Sequence, residues 1–447
     1  MKRIQTLFLA VMVFSCTAVA QQTPSSSDVA ALMQKVRDLE DRVVSLEGQL
    51  RQLKTQPQPT TPPATAAAPS TPSTAPATQP QVTTEQGAAG STASAGGTEN
   101  VRLGGAGGAA AKALNPDISV IGDFIVGAGH NPFETTPSFE MHESEIGLQA
   151  IVDPYARADF FISFGEEGVN LEEGFLTFTA LPKGFVVKGG KMRAAFGKVN
   201  TLHNHVLPWV DRPLVTRNLV GGEDGIDDAG VSVQHIIPAP RNWFVEFTGQ
   251  TFRGDSGDVF KAANKNDLSV VGHLRTFKDI TDNSNVDMGA SYSRGHNSFG
   301  SAFLTNLYGI DATYRWKPLQ RSIYRSFVAR SEFIWRLQDQ PSLLTCQLIT
   351  CPANAAFGFQ RAFGFYTSAD YQFARRWFLG GRFDHSGRAT NALLGDKGGA
   401  LVLTYWPSEF AQLRGQYRIT RYAEHFDAHE GFIQLQFALG AHGAHPF

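Results

Sequence analysis

Charge, cysteine and long apolar runs are all scarce in this sequence. Only 18% of the 447 residues are charged and the formal net charge is −2, which argues against wholesale nucleic-acid binding, a function that needs a basic surface. Past the N-terminus no apolar run approaches the ~20 residues that a spanning helix requires. Any passage through a membrane must therefore use strands. Three cysteines are present: Cys16 lies near the N-terminus, and Cys346 and Cys351 share the stretch "TCQLITCP". The spacing of the latter pair predicts a small loop disulfide in an oxidising compartment. Glycine and phenylalanine, by contrast, are plentiful, with 44 and 33 residues.

The N-terminal residues "MKRIQTLFLAVMVFSCTAVAQQ" place Lys2 and Arg3 before an apolar stretch and Ala18-Val19-Ala20 before Gln21. This is the pattern of a secretory signal peptide over residues 1–20. Phe14 stands where a lipobox has a small residue, which argues against lipidation at Cys16. Val29, Leu32, Val36, Leu39, Val43, Leu46, Leu50 and Leu53 are spaced alternately by three and four. That a/d seam predicts a coiled coil over residues 28–54, with Lys35–Glu40 and Arg42–Glu47 as opposite-sign g–e′ pairs. Residues 55–113, first rich in Pro, Thr and Ala and then in Gly and Ala, lack the apolar content to fold alone and read as a disordered linker.

Residues 114–447 are different. In "YGIDATYRWKP", Tyr308, Ile310, Ala312, Tyr314 and Trp316 fall on one side of an extended chain, and Gly309, Asp311, Thr313 and Arg315 on the other. Such segments recur sixteen times, centred from Val120 to Leu435. Taken in order, every second connection is short, as in "VDPYA", "LPKG", "FARR" and "WPSEF", whereas the intervening ones are generally longer, with "GEEGVN" the brief exception. Trp243, Trp316, Trp377 and Trp406 all lie beside the short connections. An even strand count, alternating connection lengths and one aromatic rim predict an all-β transmembrane antiparallel barrel of about 16 strands, short turns in the periplasm, apolar residues on lipid and polar residues on an aqueous lumen. The chain ends of an even-stranded barrel share one side, so the coiled coil is expected in the periplasm, where the N-terminal segment could contact peptidoglycan.

Together, "LNPDISVIGDF", "HESEIGLQ", "HNHVLPWVDRPLV" and "GIDDAGVSVQ" resemble porin-like outer-membrane proteins akin to the phosphate-selective porins O and P, some of which are labelled TonB-dependent receptors. The resemblance covers about residues 114–447. It implies an outer-membrane diffusion channel for small hydrophilic solutes, a homotrimer, and no enzyme or cofactor. The receptor label fits poorly, because residues 21–113 hold no plug-like globular pattern. A non-conducting structural or adhesive barrel, or a receptor-like uptake protein for a metal or anionic solute, remain the alternatives.

The longest connection, residues 194–226, is expected to fold inward as in porins and to narrow the pore. Lys188, Lys191, Arg193, Lys198, Arg212 and Arg217 in and beside it face Asp211 alone, which predicts an anion-attracting constriction. On the lumen wall, alternation places Arg157, Arg275, Arg315, Arg330, Arg336, Arg382, Arg414 and Arg418 with Glu143, Glu145, Asp159, Glu246, Asp311, Glu332 and Asp384. No metal site is assigned: His203 and His205 in "HNH", and the acids of "GGEDGIDDAG", have no specific ligand spacing. Asp384, His385 and Ser386 are adjacent on a strand and point to opposite faces, so they cannot form a hydrolytic triad.

Overall fold

The computed structural model describes residues 116–134, 136–165, 168–240, 242–342 and 357–440. The expected leader, coiled coil, linker and Cys346–Cys351 disulfide lie outside the described residues. Sixteen strands form one closed antiparallel barrel. They are β1 (Asp117–His130), β2 (Phe139–Asp153), β3 (Ala156–Gly165), β4 (Gly168–Phe178), β5 (Phe185–Arg193), β6 (Asp227–Ile237), β7 (Phe244–Phe252), β8 (Ser269–Thr281), β9 (Ser284–Asn297), β10 (Gly300–Trp316), β11 (Ser326–Gln338), β12 (Gln360–Ala374), β13 (Trp377–Gly387), β14 (Gly395–Ser408), β15 (Ala411–Arg421) and β16 (Asp427–Gly440). Each pairs with its sequence neighbours, and β1 closes on β16 in a register running from Ser119 opposite Gly440 to His130 opposite His429.

The period-two pattern decides which side chain meets which medium. Tyr308 and Ile310 are 45% and 53% exposed on the outer face, whereas Asp311 and Thr313 are 4% and 2% exposed on the inner one. The same parity exposes Leu401, Leu403, Tyr417, Ile419, Ile433 and Leu435 and buries Arg414, Gln416, Arg418, Gln434 and Gln436. An outer surface of this size and apolarity is a belt matched to hydrocarbon. Trp377 opens β13, Trp316 closes β10, Trp243 directly precedes β7 and Trp406 lies near the end of β14. At that rim the Trp377 and Tyr405 rings stack with centroids 4.5 Å apart, and the Lys278 ammonium sits 4.8 Å from the Trp243 ring.

The connections at the Trp rim include two-residue turns at 154–155, 282–283, 375–376 and 409–410, and the opposite rim carries residues 194–226 between β5 and β6. One expectation is corrected. The β9–β10 connection, 298–299, is also brief, because both strands extend further than the polar "RGHNSFGS" suggests, with a register shift between His296 and Asn297. The longer-loop side therefore has two short members.

Placing a charge on the lipid face tests this orientation. Ile310→Arg is expected to destabilise the barrel by about 2–4 kcal/mol in reversible lipid-vesicle unfolding. An unchanged unfolding free energy would show that Ile310 does not face hydrocarbon.

Candidate functional site

Residues 194–226 leave β5 and return to β6 through a sealed neck. The Ala194 amide donates to the Ile226 carbonyl at 2.8 Å. Asn200 ties the two ends together: its side chain donates to the carbonyls of Ala194 (2.9 Å) and Ile226 (3.1 Å) and accepts from the Ile226 amide (2.8 Å). Gly225 is left-handed (φ +68°), and a Cβ there would lie 2.1 Å from Asn200 Oδ1. Gly197 is also left-handed (φ +60°), and a Cβ would collide with the Glu332 carboxylate. That carboxylate accepts from the amides of Lys198 and Val199, so the loop backbone approaches β11 as closely as only glycine permits.

From this neck the segment crosses the lumen and meets inward side chains around the wall. Ala195 takes a hydrogen bond from its amide to Gln250 of β7, Gly197 to Ser291 of β9, Val210 to Gln416 of β15 and Leu214 to Asp384 of β13. The His205 carbonyl accepts from Gln436 of β16. A short helix α1 (Leu214–Leu219) lies inside the loop. Phe196, Leu207, Trp209, Val215 and Leu219 are fully buried against Leu307, Ile334, Tyr366 and Val402 of the wall. Trp209 meets Tyr366 edge-on at 5.2 Å, and the Arg382 guanidinium covers its ring at 4.9 Å. The inward loop expected from the sequence thus brings a packed apolar core into a lumen expected to be aqueous, because a sixteen-strand wall cannot fill its own interior.

The six basic residues expected at a constriction are dispersed. Arg193 pairs with Glu172 at 2.8 Å, Lys191 with Asp227 at 2.9 Å and Lys198 with Asp287 at 3.1 Å. Arg217 pairs with Glu134 of the β1–β2 connection. Arg212 donates to Asn204 Oδ1 and to the carbonyls of Val199 and Leu202, stapling the loop to itself. The Lys188 ammonium lies 4.6 Å from the Phe175 ring. Arg193 and its neighbour Met192 are both buried, because β5 gives up its alternation where it enters the loop.

Most charges of the wall are paired as well. Arg157 meets Asp159 at 2.6 Å, Arg275 and Arg315 share Asp287 at 2.8 and 3.7 Å, and Arg330 bonds Asp370. Arg382 bridges Asp384 (2.7 Å) and Asp211 (2.9 Å), and Arg418 holds Asp211 (2.9 Å), Glu134 (3.0 Å) and Glu430 (2.6 Å). Arg336 donates to Gln338 and to the carbonyls of Leu219 and Asp258, and Arg414 to Gln434 and the Trp209 carbonyl. Glu246 and Asp311 are buried on the inner face. The Ser386 hydroxyl donates to the Gly387 carbonyl, while His385 packs beside the Phe365 ring. In "GGEDGIDDAG", Asp228 accepts from the amides of Gly254 and Asp255.

An acidic and histidine cluster was not anticipated in full. Two β-bulges create it. His142 is the extra residue opposite Asp123 and Phe124, and Glu172 is the extra residue opposite Phe161 and Ile162. Each bulge breaks strict alternation, so Glu172 and Glu173 both reach the lumen side beside Glu143 and Glu145. His203 enters from the loop, with Nδ1 2.7 Å from Glu145 and Nε2 2.9 Å from Glu173. Burial works against charge on this ring, but hydrogen bonds to Glu145, Glu172 and Glu173 outweigh it and hold its pKa well above the ordinary imidazole value.

Asp211 is the loop's main anchor on the opposite side. Burial pushes its carboxyl up, but the Arg382 and Arg418 guanidiniums outweigh burial and hold it well below the ordinary carboxylate range. A depressed folded pKa contributes stability that is fully present above the unfolded value of about 3.9 and is lost only as pH falls through the lower folded value. This anchor is therefore expected to survive at pH 4. Asp211→Ala, which takes the loop's carboxylate from Arg382 and Arg418 but leaves them Asp384, Glu134 and Glu430, is expected to destabilise the loop seat by about 1.5–3 kcal/mol. Protease cleavage within residues 194–226, absent in wild type at pH 7 and pH 4 and present in the variant, checks both statements.

No protein-family model matches the chain. A protein of Aquifex aeolicus, described as uncharacterized, is 27% identical over 393 residues, covering 75% of this chain and 81% of its own. Among solved structures, the anion-selective porin from Comamonas acidovorans aligns with 73% of this chain and 99% of its own at a TM-score of 0.51 and 10% identity. The outer membrane channel DcaP of Acinetobacter baumannii aligns with 73% and 96% at 0.47 and 9%. At 10% identity, the likeness to the Comamonas porin is one of fold.

Proposed function

We propose that this chain is an outer-membrane porin that passes small hydrophilic solutes by diffusion, with a weak to moderate preference for anions. The observation that carries the anion preference is the convergence of Lys198, Arg275 and Arg315 on the single carboxylate of Asp287. These cations keep 26%, 26% and 38% of their side chains exposed inside the barrel, against 2% for Asp287. Asp311 and Glu332 nearby are covered too. A solute passing this wall meets cations, not carboxylates. Lys198, from the inward loop, is the constriction residue of the group, and Arg275 and Arg315 are its wall partners.

The size of the effect follows from Coulomb's law. Two unit charges 8 Å apart interact by about 0.5 kcal/mol in bulk water and about 2 kcal/mol at an effective dielectric of 20, or roughly 2- to 30-fold in relative permeability. The packed apolar core, by keeping the remaining passage narrow, favours the upper part of that range. It also favours a second function, a closed structural barrel whose loop leaves no conducting path.

Reversal potential in planar bilayers under a KCl gradient separates these. Wild type is expected to conduct with an anion-selective reversal potential, and Arg275→Gln with Arg315→Gln to shift it towards zero. A cation-selective wild type would refute the preference, and a silent bilayer would favour the structural barrel.

The porin reading supports a homotrimer whose N-terminal segment lies in the periplasm within reach of peptidoglycan; the heptad seam of residues 29–53 supports self-association, although valine at a with leucine at d by itself favours two strands. Deleting residues 21–100 is expected to lower the temperature at which the oligomer dissociates in detergent. An unchanged dissociation temperature would deny the coiled coil an assembly role.

A further inference from the structure

The histidine and glutamate cluster on β2 and the inward loop has a geometry that solute diffusion does not require. Glu143, Glu145, His203 and His205 are all buried and offer one donor atom each, all within 4.8 Å of one another. Two side chains come from β2 and two from the loop, so the group spans the seam between wall and constriction. Glu143 is 6% exposed; no N–H group or hydroxyl donates to either carboxylate oxygen, and the side chain it meets, Glu172, is another carboxylate. A carboxylate taken out of water with no donor is far from satisfied. Arg193 is committed to Glu172, and His142 faces Asp123 at 3.4 Å.

We propose that Glu143, Glu145, His203 and His205 bind one divalent transition-metal cation of the zinc class, which pins the inward loop to β2. Two imidazoles with two carboxylates suit Zn²⁺ and its borderline neighbours, whereas Ca²⁺ and Mg²⁺ take all-oxygen sets. Tetrahedral ligands at ~2.1 Å lie about 3.4 Å apart, so the donors need to draw in by on the order of 1 Å. His203 Nδ1, 2.7 Å from Glu145, is the ring atom turned towards the ion, and its proton passes to solvent as the metal takes its place. The other ring nitrogen keeps donating to Glu173 at 2.9 Å. That is the carboxylate–histidine–metal arrangement by which outer carboxylates fix a ligand's tautomer and orientation. His205 Nδ1 lies 3.7 Å from the same Glu145 oxygen, which puts Glu145 between the two imidazoles.

The test uses the full-length protein in detergent, with His442 and His445 of the terminal "HGAH" replaced by asparagine to remove surface chelation. After chelator stripping and dialysis against Zn²⁺, elemental analysis is expected to find one zinc per chain. Co²⁺ in its place is expected to show the visible d–d bands of a tetrahedral nitrogen and oxygen site. His203→Ala with His205→Ala, and separately the isosteric Glu143→Gln, are expected to weaken Zn²⁺ at least about 100-fold in chelator competition. Glu143→Gln keeps side-chain volume and removes the anionic ligand oxygen, so it reads the site even if the histidine variant misfolds. Stripped wild type that takes up no zinc, or a Glu143→Gln protein that binds as tightly as wild type, overturns the proposal.

Discussion

Everything in this molecule follows from the requirement that a backbone in hydrocarbon pair its own amides and carbonyls. The β1–β16 register, twelve residues opposite twelve from Ser119–Gly440 to His130–His429, removes the last open edge. Once closed, the wall is one residue thick. Each side chain has lipid on one side or the lumen on the other, and the charges of sixteen strands are concentrated on one concave surface. Sixteen strands enclose more space than those side chains fill. The inward segment 194–226 answers both problems, supplying apolar bulk for the space and partners for the charges.

Those partners explain why a count of charges along the loop misjudges its field. The sequence sets six cations against Asp211 between residues 184 and 220, but the acids that neutralise them come from other strands: Glu172 for Arg193, Asp287 for Lys198 and Glu134 for Arg217. A buried charge without a partner is destabilising by several kcal/mol, so folding selects a neutral seat for the loop. Only where cations outnumber accessible acids does charge remain to act on a solute. Lys198, Arg275 and Arg315 around Asp287 are proposed as that place.

Much of this was legible in the sequence. Period two in residues 114–447 identified all sixteen strands, and the parity of "YGIDATYRW" and "QLRGQYRIT" matched the lipid and lumen faces. Three things were hidden, each for a physical reason. Bulges at His142 and Glu172 add a residue without leaving a composition mark, and neither inward carboxylate of β4, Glu172 or Glu173, is assigned from the sequence. The apolar lumen residues Leu307, Ile334 and Val402 are not predicted, because alternation presumes water inside. A signal did exist for them. In Phe333-Ile334-Trp335 and Leu401-Val402-Leu403 the alternation fails, which is what a strand between lipid and a packed loop must show. Partners far apart in sequence, such as Asp211 and Arg418, carry no local signal at all.

The packed lumen and the proposed charge-based preference look opposed, yet the second depends on the first. At physiological salt the Debye length is about 8 Å, so charges lining a wide, water-filled barrel would be largely screened from a solute on its axis. The core of Trp209, Phe196, Val215 and Leu219 removes water and brings low-dielectric matter beside the charged walls. It also divides the interior into unlike surfaces. Acids and histidines gather at β1, β2 and β4, and Arg275 and Arg315 stand on β8 and β10, about half the circumference away in strand order. A loop that merely narrowed the lumen would leave those charges facing one another across water. A loop packed against both walls separates them, so the two proposed roles, solute selection at β8–β10 and metal binding at β2, fall on surfaces that do not face each other.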